Sequence, residues 1–142
     1  MPIDSRILSL IPHSGSMCLL EKIIRWDDHE VLISTRSHTS TSNPLSRADG
    51  LRAIHLCEYG AQAMAVHGGL TSSGEARNSV AGMLVSLRDV RLHCAYVHDL
   101  TGEILITARR LQRNERALSY GFSISHAGRE LAQGRALVST GT

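Results

Sequence analysis

Apolar residues are grouped at the start of the chain as Ile7, Leu8, Leu10 and Ile11, a short amphipathic segment that Pro12 breaks. Met17 to Trp26 is apolar enough for a strand, and Asp27-Asp28-His29 reads as the turn that ends it. Val31, Ile33 and Thr35 then alternate with polar neighbours, the pattern of a half-buried returning strand, so the first third of the chain predicts a hairpin. Residues 37 to 49, SHTSTSNPLSRAD, change to a loop composition, with Ser46 or Asp49 placed to cap a helix beginning near residue 50.

Residues 50 to 69, GLRAIHLCEYGAQAMAVHGG, contain no proline and carry Ile54, Cys57, Ala61, Met64 and Ala65 at helical spacing before a glycine pair, which predicts one helix. Its small residues, Ala53, Gly60, Ala61, Ala63 and Ala65, lie on several sides. That describes a central helix packed all round. From Ser79 onward the period becomes two, and Val80 to Val97, Glu103 to Arg113, Ala117 to His126 and Glu130 to Ser139 read as strands. Residues 98 to 102, Asn114-Glu115 and Ala127-Gly128 are the turns between them, and residues 70 to 78 form a mobile connection between the halves. Two strands, a long helix and about four antiparallel strands make an α+β protein, one domain over residues 1 to 142, whose sheet buries a face against the helix.

Composition narrows the function classes. A chain of 142 residues with 15 basic and 13 acidic groups has a formal charge of only +2, too little to make nucleic acid or an anionic membrane its main partner. Cys18, Cys57 and Cys94 form no CxxC pair, which argues against a disulfide framework or a thiolate metal site and fits a reducing compartment. No window reaches the roughly 20 apolar residues of a membrane span, so the expected location is the cytoplasm. His67, His93, His98 and His126 lack the close pairing of a metal site and are expected at the surface or in packing. Arg109, Arg110, Arg113 and Arg116 cluster along one predicted hairpin, either as a solvated strand face or as a patch that receives an acidic protein.

The chemistry is concentrated on the helix. Glu58 stands among apolar residues, with His55 one turn earlier and Gln62 one turn later on about the same side. A carboxyl there is costly unless used or paired. Either it meets an arginine or Gln62 in a structural role, or an apolar setting favours its protonated form and lets it donate a proton.

The helix motif Glu58-Tyr59-Gly60-Ala61-Gln62-Ala63 resembles the E-x-x-A-Q-A signature of the 3-hydroxyacyl-acyl carrier protein dehydratases. Upstream, Ile11-Pro12-His13-Ser14-Gly15-Ser16-Met17-Cys18-Leu19-Leu20 is similar to the L-P-H-R-x-P-x-L-L opening of that family, and the strand order after Gly82 follows it too. Asn43-Pro44-Leu45, a glycine a few residues on and then the helix motif are most similar to the divergent branch found with aryl polyene biosynthesis. The resemblance covers nearly the whole chain.

It implies a hotdog fold, an antiparallel sheet wrapped around one long central helix, with two subunits pairing to form acyl tunnels at their interface. It implies dehydration of a 3-hydroxyacyl thioester on the phosphopantetheine arm of an acyl carrier protein, in fatty acid or polyene synthesis, with no cofactor and no metal. The assembly would be a homodimer or higher, or a heteromer with a homologous subunit. Glu58 is the expected acid, and Gln62, His55, Asn43 and Gly50 are expected to contact substrate, the free amides from Gly50 to Ala53 polarising the thioester carbonyl. One departure matters: the family's base is the histidine of a G-H-F-P-G segment, and residues 43 to 50 contain no histidine. His38 is the substitute candidate for the base; His13 matches the opening motif in a structural place. Two rivals remain, a catalytically silent acyl-binding partner of an active dehydratase, and a thioesterase in which the helix carboxylate activates water.

Overall fold

The computed structural model describes residues 3–11, 17–71, 83–113 and 117–139. Helix α1 spans Ser5–Leu10, its start capped by the Asp4 carboxylate, which accepts from the Arg6 amide. Strands β1 (Lys22–Trp26) and β2 (Glu30–Thr35) form the expected hairpin. Its turn is set by Asp27, whose side chain accepts from the amides of His29 and Glu30 at 2.7 and 2.9 Å. A 3-10 turn over Ala53–His55 leads into helix α2 (Leu56–Thr71). Strands β3 (Met83–Leu92), β4 (Ile104–Arg113), β5 (Ala117–His126) and β6 (Arg129–Ser139) complete one six-stranded antiparallel sheet in the order β1-β2-β4-β5-β6-β3. The fold is the hotdog arrangement, with α2 lying across β2, β4, β5 and β6.

The core follows strand alternation. Leu118, Tyr120, Phe122 and Ile124 of β5 face inward with Ile104, Ile106 and Ala108 of β4 and Ala132 and Ala136 of β6. Against them α2 buries most of its circumference, including Leu56, Tyr59, Gly60, Ala63, Met64, Val66 and His67. The small residues make this possible. A Cβ on Gly60 would stand 2.6 Å from Phe122 ring carbons, and one on Gly134 of β6 would stand 2.7 Å from the far end of the same ring. Phe122 is therefore clamped between helix and sheet.

Several boundaries differ from the expectation, each for a hydrogen-bonding reason. The first strand begins at Lys22 rather than Met17, because residues 17 to 20 run across the helix and bond to side chains instead of a neighbouring strand. The helix begins later than Gly50, since Gly50 to Arg52 are held beside residues 95 to 97 by Ala53 N–H to Ala95 O and Val97 N–H to Leu51 O. It also runs through Gly68 and Gly69 to Thr71. Gly69 serves close packing, lying directly against the Leu10 side chain, whereas a Cβ on Gly68 would come no nearer than 4.0 Å to the Tyr120 hydroxyl. Strand β3 ends at Leu92 rather than Val97, because residues 95 to 97 pair with Leu51 and Ala53 instead of a neighbouring strand. Of the 70 to 78 connection, Leu70 and Thr71 are helical and the rest lies outside the described residues, as do Val80 to Gly82 and the Asn114-Glu115 turn.

The edge strand β3 is irregular. Its ladder with β6 shifts register between Leu84 and Ser86 and again between Arg88 and Arg91, with Asp89 at φ 54°. Leu87 and Leu92 on this strand are each 40% exposed.

The Phe122 clamp makes Gly60 costly to change. Gly60→Ala should destabilise the protein by about 1–3 kcal/mol through overpacking, outweighing a gain of about 1 kcal/mol in helix propensity. Urea unfolding of the two proteins checks this; a stabilised variant would show that the ring has room to retreat.

Candidate functional site

Glu58 lies in the first turn of α2, half-buried, and accepts a hydrogen bond from Gln62 Nε2 at 3.2 Å. Gln62 is only 2% exposed. Its Oε1 accepts from the Leu19 amide at 2.9 Å, and its Nε2 donates to the Met17 carbonyl at 2.8 Å. The amide orientation follows from those backbone partners, and it presents an N–H to Glu58. His55, at the end of the 3-10 turn one helical turn ahead of Glu58, is half-buried. Neither of its ring nitrogens has a hydrogen-bond partner among the described residues. The outward side of the helix beside Glu58 carries Ile54, Cys57, Ala61 and Ala65, all half-buried or exposed, with Ile54 exposed although apolar. Thus the structure brings Glu58 and Gln62 into contact next to an uncovered apolar stripe, and the spacing of His55, three residues before Glu58, sets it one turn ahead of the pair.

The other expected site residues are engaged elsewhere. Asn43 is buried, with its side-chain N–H groups on the Ser37 carbonyl and the Tyr59 hydroxyl at 2.9 and 3.0 Å and its Oδ1 on the Leu45 amide. Tyr59 also meets Ser37 Oγ at 2.9 Å, and Ser37 and Thr35 both donate to the Leu19 carbonyl. Burial pushes the Tyr59 hydroxyl above its ordinary pKa, so it stays a neutral donor and acceptor. Asn43 therefore locks the residue 37 to 45 loop to the helix. Gly50 adopts φ 114° and has the His98 ring pressed on its α-carbon, which only glycine allows.

The N–H groups expected to polarise a carbonyl are largely occupied. Gly50 donates to Arg47 O, Leu51 to His98 Nδ1 and Ala53 to Ala95 O. His98 and this turn are further tied by Tyr96, whose hydroxyl donates to Asp49 at 2.9 Å, with Arg52 stacked over the Tyr96 ring.

His38 has no exposed surface. Its Nε2 lies 2.8 Å from the Leu100 carbonyl, which can only accept, so the proton is on Nε2 and Nδ1 is buried with no partner among the described residues. No hydrogen bond joins it to Glu58 among the described residues. Burial holds this imidazole below its usual pKa despite the bond to Leu100. His13 lies outside the described residues.

Sequence reasoning missed a second polar cluster at the far end of the helix. His67, fully buried, donates from Nε2 to the Asp27 carbonyl at 2.9 Å and accepts at Nδ1 from the Tyr120 hydroxyl at 2.8 Å. Arg110 points inward on β4, beside Ile106 and Ala108 in the alternation, and donates to Thr71 Oγ1 and the Tyr120 hydroxyl. Arg109, its neighbour, turns outward to Glu30 at 3.5 Å. The expected arginine cluster is thus split by strand alternation; the Arg113 side chain and Arg116 lie outside the described residues. The signal was available in part, because Tyr120 and Arg110 both fall on inward positions of the period-two pattern.

Among the described residues no group of three or more His, Cys, Asp and Glu side chains is arranged to hold a metal ion, and no helix is long and apolar enough to cross a membrane. A hollow of about 220 Å³ beside β1 and β2, lined by Asp4, Glu21, Lys22, Arg36 and Glu103 among others, contains none of the expected site residues.

Comparison with known proteins gives a consistent result. A family model described as ApeP-like, ApeP dehydratase, matches residues 5–141. Among solved structures, the dehydratase heterocomplex ApeI:P from Xenorhabdus doucetiae is similar with a TM-score of 0.81 and 27% identity, covering 96% of this chain and 91% of that one. A thioesterase mutant from Staphylococcus aureus has a TM-score of 0.65 at 13% identity, covering 83% of this chain and 90% of that one. Zebrafish thioesterase superfamily member 2 has a TM-score of 0.66 at 17% identity, covering 96% and 94%. These two share the fold. No curated protein sequence matches the chain.

Two neutral histidines in the interior make stability depend on pH. Burial lowers the pKa of both His38, which faces His126 and Glu21, and His67, which faces Arg110, Asp27 and Asp28. The unfolded chain takes up protons near 6.5 while the folded one resists them, so stability is full above about 6.5 and falls as pH drops from there towards the lowered folded values. Each histidine contributes a slope of at most about 1.4 kcal/mol per pH unit in that window. Urea midpoints from pH 7.5 to 5 should decline, with a shallower decline in His67→Gln. An equal slope in the variant would place the proton uptake elsewhere.

Proposed function

The chain belongs to the ApeP-like dehydratase family, and from that premise we propose that it removes water from 3-hydroxyacyl thioesters carried on the phosphopantetheine arm of an acyl carrier protein. The observation that carries this reading is Glu58. It is a carboxyl at the margin of an apolar helix stripe, oriented by Gln62, which is itself fixed by two backbone bonds. Elimination needs a proton donor for the departing hydroxyl at a defined point, and a carboxyl steered by a buried amide meets that need.

In this reading the substrate lies where a second subunit covers Ile54, Cys57, Ala61 and Ala65, so acid and acyl channel meet at a subunit contact. The ApeI:P structure, described as a dehydratase heterocomplex, favours a homologous but non-identical subunit as partner over a second copy. The acyl chain belongs to fatty acid or polyene synthesis, and the chemistry requires no diffusible cofactor. His38 acts as a structural residue here, since a side chain without exposed surface that holds the Leu100 carbonyl does not reach a substrate carbon. The same sealed histidine favours a second reading, a catalytically silent subunit that shapes the channel of an active partner.

Enoyl formation from a 3-hydroxyacyl carrier protein separates these readings, measured with the chain alone and mixed with its homologous partner. Glu58→Gln should lower kcat of the active form by about 100- to 10,000-fold. Undiminished turnover would end the role of Glu58 and leave the silent subunit. Release of free thiol without a new double bond would assign thioester hydrolysis instead.

A further inference from the structure

We propose that His55 is the base that partners Glu58, so that one helix of one subunit carries both halves of the acid–base chemistry. The inference rests on the dehydratase reading and supplies the group that reading lacks.

Three observations converge on His55. It is spaced three residues before Glu58, which on a helical surface puts the two Cβ atoms about 5–6 Å apart, close enough for the side chains to address adjacent atoms of one substrate. It is half-buried, at the end of the 3-10 turn that leads into the helix turn where Gln62 bonds Glu58. Among the described residues neither ring nitrogen has a partner, Asp49 is bonded by Tyr96 and Arg52, and no ion pair reaches Glu58. Of the chain's other described histidines on inward or loop positions, His38, His67 and His98 each have a ring nitrogen committed to backbone. His38 also keeps an unpartnered nitrogen but has no exposed surface, so among these His55 is the one whose free nitrogen a substrate can reach.

The step balances within the pair. Neutral His55 takes the proton from C2 of the acyl chain, the C2–H electrons form the C2=C3 bond, and the C3–O bond breaks towards oxygen. That oxygen takes the proton of Glu58 and leaves as water. The pair then holds an imidazolium beside a carboxylate, and one proton passed from His55 to Glu58 restores the start without solvent. Because both groups project from one flank, hydrogen and hydroxyl leave from the same face of the C2–C3 bond.

The test uses the assembly that is active in wild-type form. His55→Gln should lower kcat by about 100- to 10,000-fold with KM changed less than about 3-fold. His55→Ala should be partly rescued by free imidazole, which a merely structural side chain would not permit. The double variant with Glu58→Gln should be about as slow as either single variant, since the two act as a unit. An unchanged rate in His55→Gln, or no rescue of an inactive His55→Ala, overturns the proposal while the dehydratase reading stands. A wild-type assembly that forms no enoyl product from any 3-hydroxyacyl thioester removes both.

Discussion

The side-chain amide of Gln62 organises this structure. From one buried position on α2 it accepts from Leu19, donates to Met17 and donates to Glu58. The first two bonds satisfy backbone groups of a segment that crosses the helix without a strand partner. Leaving such groups unpaired inside the protein would cost about 1–3 kcal/mol each, so the amide is as much a structural necessity as a neighbour of the carboxyl. Leu19 in turn accepts from Thr35 and Ser37, and Ser37 meets Tyr59, which Asn43 also holds. A continuous polar path thus runs from Glu58 through the crossing segment to the residue 37 to 45 loop and back to the helix. The carboxyl inherits its position from the whole of that path.

Much of the architecture was legible because period is a strong signal. Ala117 to His126 matches β5 at both ends, and β4 and β6 differ from the reading by one residue at one end. The small residues of the helix announced burial on many sides, and the Phe122 clamp shows the reason: helix backbone and strand backbone both approach one ring. Boundaries failed where backbone groups found non-local partners. Composition cannot show that Met17 to Leu20 bond to a glutamine more than forty positions away, nor that Gly50 to Arg52 pair beside residues 95 to 97.

The site was legible in the same uneven way. Glu58, Gln62 and His55 could be grouped because they share one helix, where spacing gives direction. Asn43, Gly50 and His38 lie in loops, where sequence distance carries no orientation, and all three turn out to hold the chain together. Asn43 bonds Tyr59, Gly50 accommodates the His98 ring, and His38 secures the Leu100 carbonyl. His67 takes the packing place expected of it and does more than pack. Among scattered histidines it looked ordinary, yet it joins the hairpin turn at Asp27 to Tyr120 across the interior.

The irregular β3 edge has a consequence for assembly. A straight exposed strand with leucines on it would accept almost any extended peptide, which is the hazard of open sheet margins. Two register shifts against β6 and a left-handed Asp89 bend and twist the strand. A margin bent in this way is turned aside from a flat incoming strand. The irregularity blunts an edge that its leucines would otherwise make sticky.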